Sequence, residues 1–197
     1  MSEFLTRRIT VEKDSWSTPQ HLVEWTRATL NWSPFDFDPC CTKLTAKAPH
    51  YITPETGDGL VDAWSGSTVW LNPPYSNQGK WLLRAAEEAT RYNRKIAALV
   101  LPSFDAAYFR GAAWNVAREI WILEGRIAFE QDGIPRPGGT VKNCIIVYDG
   151  AQIEPGPRVR YLRPPAAPTG LANHPLPALP DAPAPADPQL PLQLAPP

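Results

Sequence analysis

The 197-residue sequence has few of the residues that build disulfide frameworks and metal centres. Its three cysteines, Cys40, Cys41 and Cys144, have no Cys-x-x-Cys spacing, which argues against a disulfide framework and a structural zinc site. The three histidines also lack metal-ligand spacing, so no metal is expected. No apolar run approaches the roughly 18 residues of a membrane span, and no secretory signal segment is recognisable. These absences favour a protein of the reducing cytoplasm that has no membrane partner.

The sequence also lacks an excess of either charge. It has 19 lysines and arginines against 20 aspartates and glutamates, a formal net charge of −1. The chain is therefore not a polycation, and attraction to a nucleic acid would depend on local basic patches.

Proline is unevenly distributed, and this distribution predicts the domain organisation. Of the 24 prolines, 14 lie at or after Pro155, in a stretch rich in alanine and almost devoid of aromatic residues. Such a stretch buries too little apolar surface to offset its ordering entropy, so residues 153–197 are expected to be a disordered Pro/Ala-rich tail. Residues 14–152 are long enough for one domain, preceded by an N-terminal arm over residues 1–13.

Within that domain, predicted helices and strands alternate. Ser17-Thr18-Pro19-Gln20 is typical of a capping box at the start of a helix that ends before Pro34. Strands are expected at 34–38, 68–71, 96–101 and 119–123, and helices near 42–48 and at 81–92 and 106–114. Arg126–Phe129 and Val141–Tyr148 are predicted to form a hairpin. The pattern indicates an α/β fold with a mainly parallel sheet and a C-terminal antiparallel hairpin.

The segment Asn72-Pro73-Pro74-Tyr75 follows a predicted strand and has the groups needed to methylate a planar amino group. The lone pair of such a nitrogen is delocalised, so the site needs acceptors directed at its N–H bonds. The Asn72 side-chain carbonyl and the Pro73 backbone carbonyl can supply them. Paired prolines stiffen the loop and remove competing donors, and Tyr75 offers a face for stacking a base. In parallel sheets ligands bind at the carboxyl ends of strands, which places Asp38-Pro39 at the same edge.

Four motifs in order resemble the phage-type DNA N6-adenine methyltransferase family over roughly residues 14–149: Asp14–Pro19, Phe35–Pro39, Leu71–Tyr75 and Gly125–Phe129. The resemblance implies a Rossmann-like fold, S-adenosylmethionine as methyl donor and double-stranded DNA as partner. It implies catalytic roles for the tetrad Asn72, Pro73, Pro74 and Tyr75. It also implies a set of cofactor-binding residues: Trp16, Thr18, Pro19, Asp38, Pro39 and Asp58.

The DNA-binding residues are less sharply defined by the sequence. Tyr75 and Phe129 are candidates for contact with a flipped adenine, and Lys80 and Arg84, one helical turn apart, for contact with backbone phosphate. The loop at 132–139 is a candidate for reaching a groove. Cys40-Cys41-Thr42 stands where the broader methyltransferase pattern has Gly-x-Gly, which leaves the cofactor pocket less defined than the tetrad.

Other functions remain open at this point. The same tetrad occurs in proteins that resemble glutamine, RNA-adenine and cytosine-N4 methyltransferases, although Asn72 favours adenine or glutamine over cytosine. A non-catalytic module that binds nucleic acid or a partner is the alternative of a different class. Oligomeric state and recognition sequence are not encoded in any motif.

Overall fold

The computed structural model describes residues 17–131, 134–135, 142–150 and 156–166. The predicted N-terminal arm, Trp16 and residues 167–197 of the predicted tail lie outside the described residues, as does most of the 132–139 loop. Within the described ranges, no helix has the length and apolar character needed to cross a membrane.

Among the described residues, strands and helices alternate in the middle of the chain, whereas three strands precede the second helix and five strands follow the third. The strands are β1 (Phe37–Asp38), β2 (His50–Tyr51), β3 (Thr68–Leu71), β4 (Lys95–Val100), β5 (Glu119–Leu123), β6 (Glu130–Gln131), β7 (Ile134–Pro135), β8 (Cys144–Asp149) and β9 (Arg158–Leu162). The helices are α1 (Gln20–Leu30), α2 (Gln78–Tyr92) and α3 (Ala107–Phe109), the last continued by a π-helical turn at Arg110–Trp114.

The main sheet has the strand order β2-β1-β3-β4-β8-β5-β9. The pairs β1–β2, β1–β3, β3–β4 and β5–β9 are parallel, and β8 lies antiparallel between β4 and β5. The prediction of a Rossmann-like α/β fold with a mainly parallel sheet is confirmed. An antiparallel strand is present in the C-terminal part, but β8 pairs with β4 and β5 rather than with Arg126–Phe129.

Apolar side chains on both faces explain why the central strands are buried. On one face, Leu71 and Ile96 pack with the apolar side of α2 and with Phe109 of α3. On the other face, Trp70 and Leu99 pack with Leu22 of α1. Helices therefore cover both faces, and the near-continuous apolar character of β4 is the sequence signature of a strand buried on both faces.

Three local predictions are corrected by the structure. Helix α1 begins at Gln20 with Pro19 at its N-cap and no side-chain cap, because Ser17 instead forms a β-bridge with Glu130. Residues 42–48 form turns rather than a helix, with the Ala46 N–H bonded to the Thr42 carbonyl. The domain boundary predicted at residue 152 is too early, since β9 forms five residue pairs with β5.

Candidate active site

The carboxyl edge of the sheet holds a cleft of about 160 Å³. Asp38, at the end of β1, and Asn72, just after β3, both line it, as the parallel arrangement predicted. Thr18 lines the same cleft, beside the sheet and just before α1. Three of the residues assigned from separate motifs therefore meet in one cavity.

The Asp38 carboxylate is 2% exposed and is held by backbone N–H groups. Its Oδ1 accepts from the Cys40 N–H at 3.2 Å, and its Oδ2 accepts from the Lys47 N–H at 3.0 Å. Burial raises the pKa of the Asp38 carboxyl to about 6, although the two N–H groups and the positive charge of Lys47 act in the opposite direction. A carboxylate has about four acceptor sites, so Asp38 can still accept from a bound cation.

Lys47 brings a second charge to the same cleft. Burial lowers the pKa of its ammonium, while the carboxylates of Glu130 and Asp38 raise it. Burial in turn raises the pKa of Glu130, and Lys47 lowers it. The cleft therefore contains an acid and a base that are both poorly solvated, a setting suited to a ligand with two opposite charges.

The tetrad forms the other wall of the cleft. Asn72 and Pro74 line the cavity, and both are partly exposed, whereas Pro73 is buried. Tyr75 starts a 3₁₀ turn, Tyr75–Asn77, that leads directly into α2. The tetrad is thus fixed at one end by β3 and at the other by a 15-residue helix.

Two neighbouring side chains, Asn143 and Phe129, contact Tyr75. Its hydroxyl accepts a hydrogen bond from Asn143 Nδ2 at 2.6 Å, and the same Nδ2 donates to the Val100 carbonyl at 3.4 Å. The Phe129 ring meets the Tyr75 ring edge-on, with centroids 6.3 Å apart. Phe129 is 2% exposed, so it supports Tyr75 from the core.

Asp58, Pro19 and Pro39 do not line the cleft. The Asp58 carboxylate is exposed and accepts from the Leu60 N–H at 2.9 Å, a side-chain turn. The next residue, Gly59, packs so closely on Pro39 that a Cβ there would lie 2.1 Å from the Pro39 carbonyl oxygen. Pro19 is buried at the start of α1. Pro19 and Pro39 are thus packed within the fold and Asp58 lies at the surface, and the contact of all three with a cofactor stays a prediction.

The two predicted phosphate contacts differ in their surroundings. Lys80 is exposed on α2, as a phosphate contact requires. Arg84 is engaged within the protein: it forms ion pairs with Glu88 at 2.6 Å and Glu87 at 3.4 Å and lies 6.0 Å from the Trp64 ring centroid. The geometry therefore favours Lys80 over Arg84 for contact with DNA.

Several residues of the cleft were not predicted from the sequence. Cys40, Cys41 and Thr42, which replace Gly-x-Gly, line the cleft together with Lys47 and Trp70. Trp70 had a usable signal, because it lies near the carboxyl end of β3, two residues before Asn72. No sequence signal identified Lys47 or Asn143, because only the tertiary fold brings these two residues close to the site.

Two polar atoms of the cleft residues are buried without a hydrogen-bond partner among the described residues, Thr18 Oγ1 and Trp70 Nε1. Buried polar groups are almost always paired, so unpaired ones that border a cavity indicate a polar ligand there. Within the part of the chain that the structure describes, no group of three or more His, Cys, Asp or Glu side chains is placed to hold a metal ion.

Comparison with known proteins gives a consistent result. Residues 6–152 match the family model described as DNA N-6-adenine-methyltransferase (Dam). A DNA N-6-adenine-methyltransferase of Haemophilus phage HP1 is 30% identical over 118 residues, which is 60% of this chain and 67% of that protein. One of Escherichia phage T1 is 28% identical over 123 residues, 61% of this chain and 49% of that protein.

One solved structure is also similar, a predicted O-methyltransferase from Agrobacterium tumefaciens. The TM-score is 0.30 at 21% sequence identity, with 64% of this chain and 50% of that chain covered.

Proposed function

Since the chain belongs to the DNA N-6-adenine-methyltransferase (Dam) family, as its motifs predicted, we propose that it moves a methyl group from S-adenosylmethionine to the N6 amino group of adenine in double-stranded DNA. The protein is an adenine-specific DNA methyltransferase. The observation that supports the proposed chemistry is that Asp38 and Asn72, from two different motifs, line one cleft.

The cleft has the donors and acceptors that the cofactor would need. Asp38 is a buried carboxylate suited to the cofactor's ammonium, and Thr18 and Trp70 carry polar atoms without a partner among the described residues. When bound, S-adenosylmethionine supplies an electrophilic methyl group carried on a positively charged sulfur. The residues that hold it are proposed to be Thr18, Asp38, Lys47 and Trp70.

The tetrad prepares the amino group to accept that methyl group. The Asn72 side-chain carbonyl and the Pro73 backbone carbonyl accept hydrogen bonds from the two N–H groups of the adenine amino group. This lets the amino nitrogen become pyramidal. The lone pair is then directed out of the ring plane, where it would form the new N–C bond as the donor's C–S bond breaks and S-adenosylhomocysteine leaves. The methylated nitrogen would then lose one proton to solvent. Tyr75 stacks on the extruded base, and its ring is kept in place by Asn143 and Phe129.

Magnitudes show which contribution is larger. Two neutral hydrogen bonds contribute roughly 0.5–1.5 kcal/mol each, whereas even a modest enzyme lowers its barrier by about 8 kcal/mol. Holding two reactants in line supplies about 7–11 kcal/mol. Most of the catalysis therefore comes from positioning, and a cleft that holds both reactants at one sheet edge is the structural requirement.

The test is to incubate the protein with radiolabelled S-adenosylmethionine and unmethylated double-stranded DNA, digest the DNA to nucleosides and identify the labelled one. We expect N6-methyldeoxyadenosine. The variant Asn72→Ala should lose about ten-fold or more in rate, because it removes one of the two hydrogen bonds to the amino group and also loosens the alignment of that group. Asn115→Ala, an exposed asparagine outside the cleft, is the matched control and should keep its activity.

The other substrates considered from the sequence are distinguishable outcomes of that assay. Label in methylcytosine, or only in protein, would contradict adenine as the acceptor. Single-stranded DNA and RNA in parallel reactions test the double-stranded substrate, since a higher rate on either would contradict it.

A further inference from the structure

Trp70 and Asp38, whose carboxylate is proposed to hold the cofactor, both line the cleft. Phe37 of β1 pairs with Val69 of β3 in parallel register, so the next residues along, Asp38 and Trp70, stand at the same level. Side chains alternate along a strand and neighbouring strands lie about 4.8 Å apart, so Asp38 and Trp70 are neighbours on one face. Asn72 follows two residues later, just after the end of β3.

The indole N–H of Trp70 has no acceptor among the described residues, although Trp70 is only 1% exposed. The other two most deeply buried tryptophans differ in this respect. The Trp64 indole donates to the Gly59 carbonyl at 2.7 Å, and the Trp121 indole donates to the Glu119 carboxylate at 2.5 Å. A buried donor left unpaired destabilises a fold, so an unpaired donor on a residue that lines a ligand cleft is best explained by an acceptor on the ligand.

We propose that the Trp70 indole N–H donates a hydrogen bond to the carboxylate of the cofactor's amino-acid end. This inference rests on the proposed function. An indole N–H is a donor only, so the ligand atom must be an acceptor. The cofactor's ammonium and carboxylate are attached to the same carbon, and Asp38 at the level of Trp70 takes the ammonium. The cofactor's carboxylate must therefore lie close to Asp38. It is the acceptor that can reach Trp70 on the neighbouring strand.

The other groups around this point agree with an anionic group there. The Thr18 hydroxyl, which also lacks a partner among the described residues, and the Lys47 ammonium both line the cleft. Each can donate to a carboxylate. Trp70 thus helps to distinguish the amino-acid end of the cofactor from nucleosides that lack it.

The variant Trp70→Phe keeps an aromatic ring against Phe35, but it removes the N–H together with part of the buried indole ring. We expect its affinity for S-adenosylhomocysteine, measured by calorimetry, to fall by about ten-fold or more, as expected for a lost hydrogen bond to a charged group. The melting temperature of the protein alone should fall for this variant because of the lost buried volume, so the affinity is the readout that reports on the N–H. Trp121→Phe is the matched control: it should lower the melting temperature and leave the affinity unchanged, since its N–H is bonded within the protein.

The outcomes separate this inference from the proposed function. If the unmodified protein fails to bind S-adenosylhomocysteine, the proposed function is wrong. If it binds and Trp70→Phe binds equally well, or merely melts earlier with the same affinity, the role of Trp70 is wrong. Methylthioadenosine, which lacks the amino-acid end, tests the ligand group: its affinity should be the same for both proteins, and an equal loss would overturn the assignment to the carboxylate.

Discussion

In its proposed role, the buried carboxyl of Asp38 is expected to make cofactor binding depend on pH near its pKa of about 6. Its pKa is raised by burial to about 6, so roughly nine-tenths of the molecules carry the carboxylate at about pH 7 and roughly one-tenth at about pH 5. A neutral carboxyl cannot form an ion pair with the cofactor's ammonium. We therefore expect the affinity for S-adenosylhomocysteine to fall by about ten-fold between about pH 7 and about pH 5.

Titration of Asp38 should affect the stability of the protein without cofactor in the opposite direction. Its stability should fall as the pH rises, whereas its affinity for the cofactor should increase. The pKa of Asp38 is higher in the folded state than its ordinary value of 3.8, so the folded state binds the proton more tightly. The contribution of Asp38 is greatest below about pH 4 and is lost as the pH rises through about 6. The difference between 3.8 and about 6 corresponds to about 3 kcal/mol in the free energy of unfolding.

Calorimetric titration with S-adenosylhomocysteine across this pH range is the assay, together with thermal unfolding without it. Lys47 also lines the cleft and interacts with Glu130, so the variant Asp38→Asn is needed to isolate the carboxyl. It should bind weakly and lose the pH dependence between about pH 5 and about pH 7. Asp105→Asn, an exposed aspartate outside the cleft, should behave like the unmodified protein. Equal affinity at both pH values, or a pH dependence that survives in Asp38→Asn, would refute the role of Asp38.

Two further predictions concern the surroundings of the cleft. Asn143→Ala removes the donor that holds the Tyr75 hydroxyl, so the rate of methyl transfer should fall about ten-fold or more. The cofactor affinity measured by calorimetry should stay unchanged. A loss of affinity as large as the loss of rate would contradict a role confined to Tyr75. Deleting residues 153–197 removes β9 and its pairing with β5, so the melting temperature should fall. Deleting only residues 167–197 should leave the melting temperature and the rate of methyl transfer nearly unchanged. Equal melting temperatures for the two truncated proteins would show that β9 contributes nothing to stability.

Segments whose structure depends on local apolar pattern could be predicted from the sequence. The bounds of β3 and β5 agree with the predicted strands at 68–71 and 119–123. Their apolar runs are short, rich in β-branched residues and tryptophan, and buried. The meeting of Asp38 and Asn72 at one edge was also predictable, because parallel strands present their carboxyl ends on the same side.

Segments whose structure depends on distant partners could not be predicted in this way. The capping box expected at Ser17 is absent because the Ser17 backbone exchanges hydrogen bonds with Glu130, more than a hundred residues away. For β8, the apolar run identifies a buried strand, but nothing in the run specifies β4 and β5 as its neighbours. For β9, the prolines around it suggested disorder, whereas Arg158 and Arg160 both pair with Glu119 of β5.

Strand register determines which side chains form the candidate site. Phe37, Val69 and Leu71 all belong to the core that packs against α2 and α3, whereas Trp70 belongs to the opposite core that packs against α1. A slip of one residue in β1 would turn Asp38 away from Trp70 and place it in the apolar core under α2. A carboxylate without polar partners is strongly disfavoured there, so the packing that excludes this slip also keeps Asp38 beside Trp70 and Asn72. The chemistry of the cleft is thus specified by the alternation of two hydrophobic cores as much as by the tetrad that first identified it.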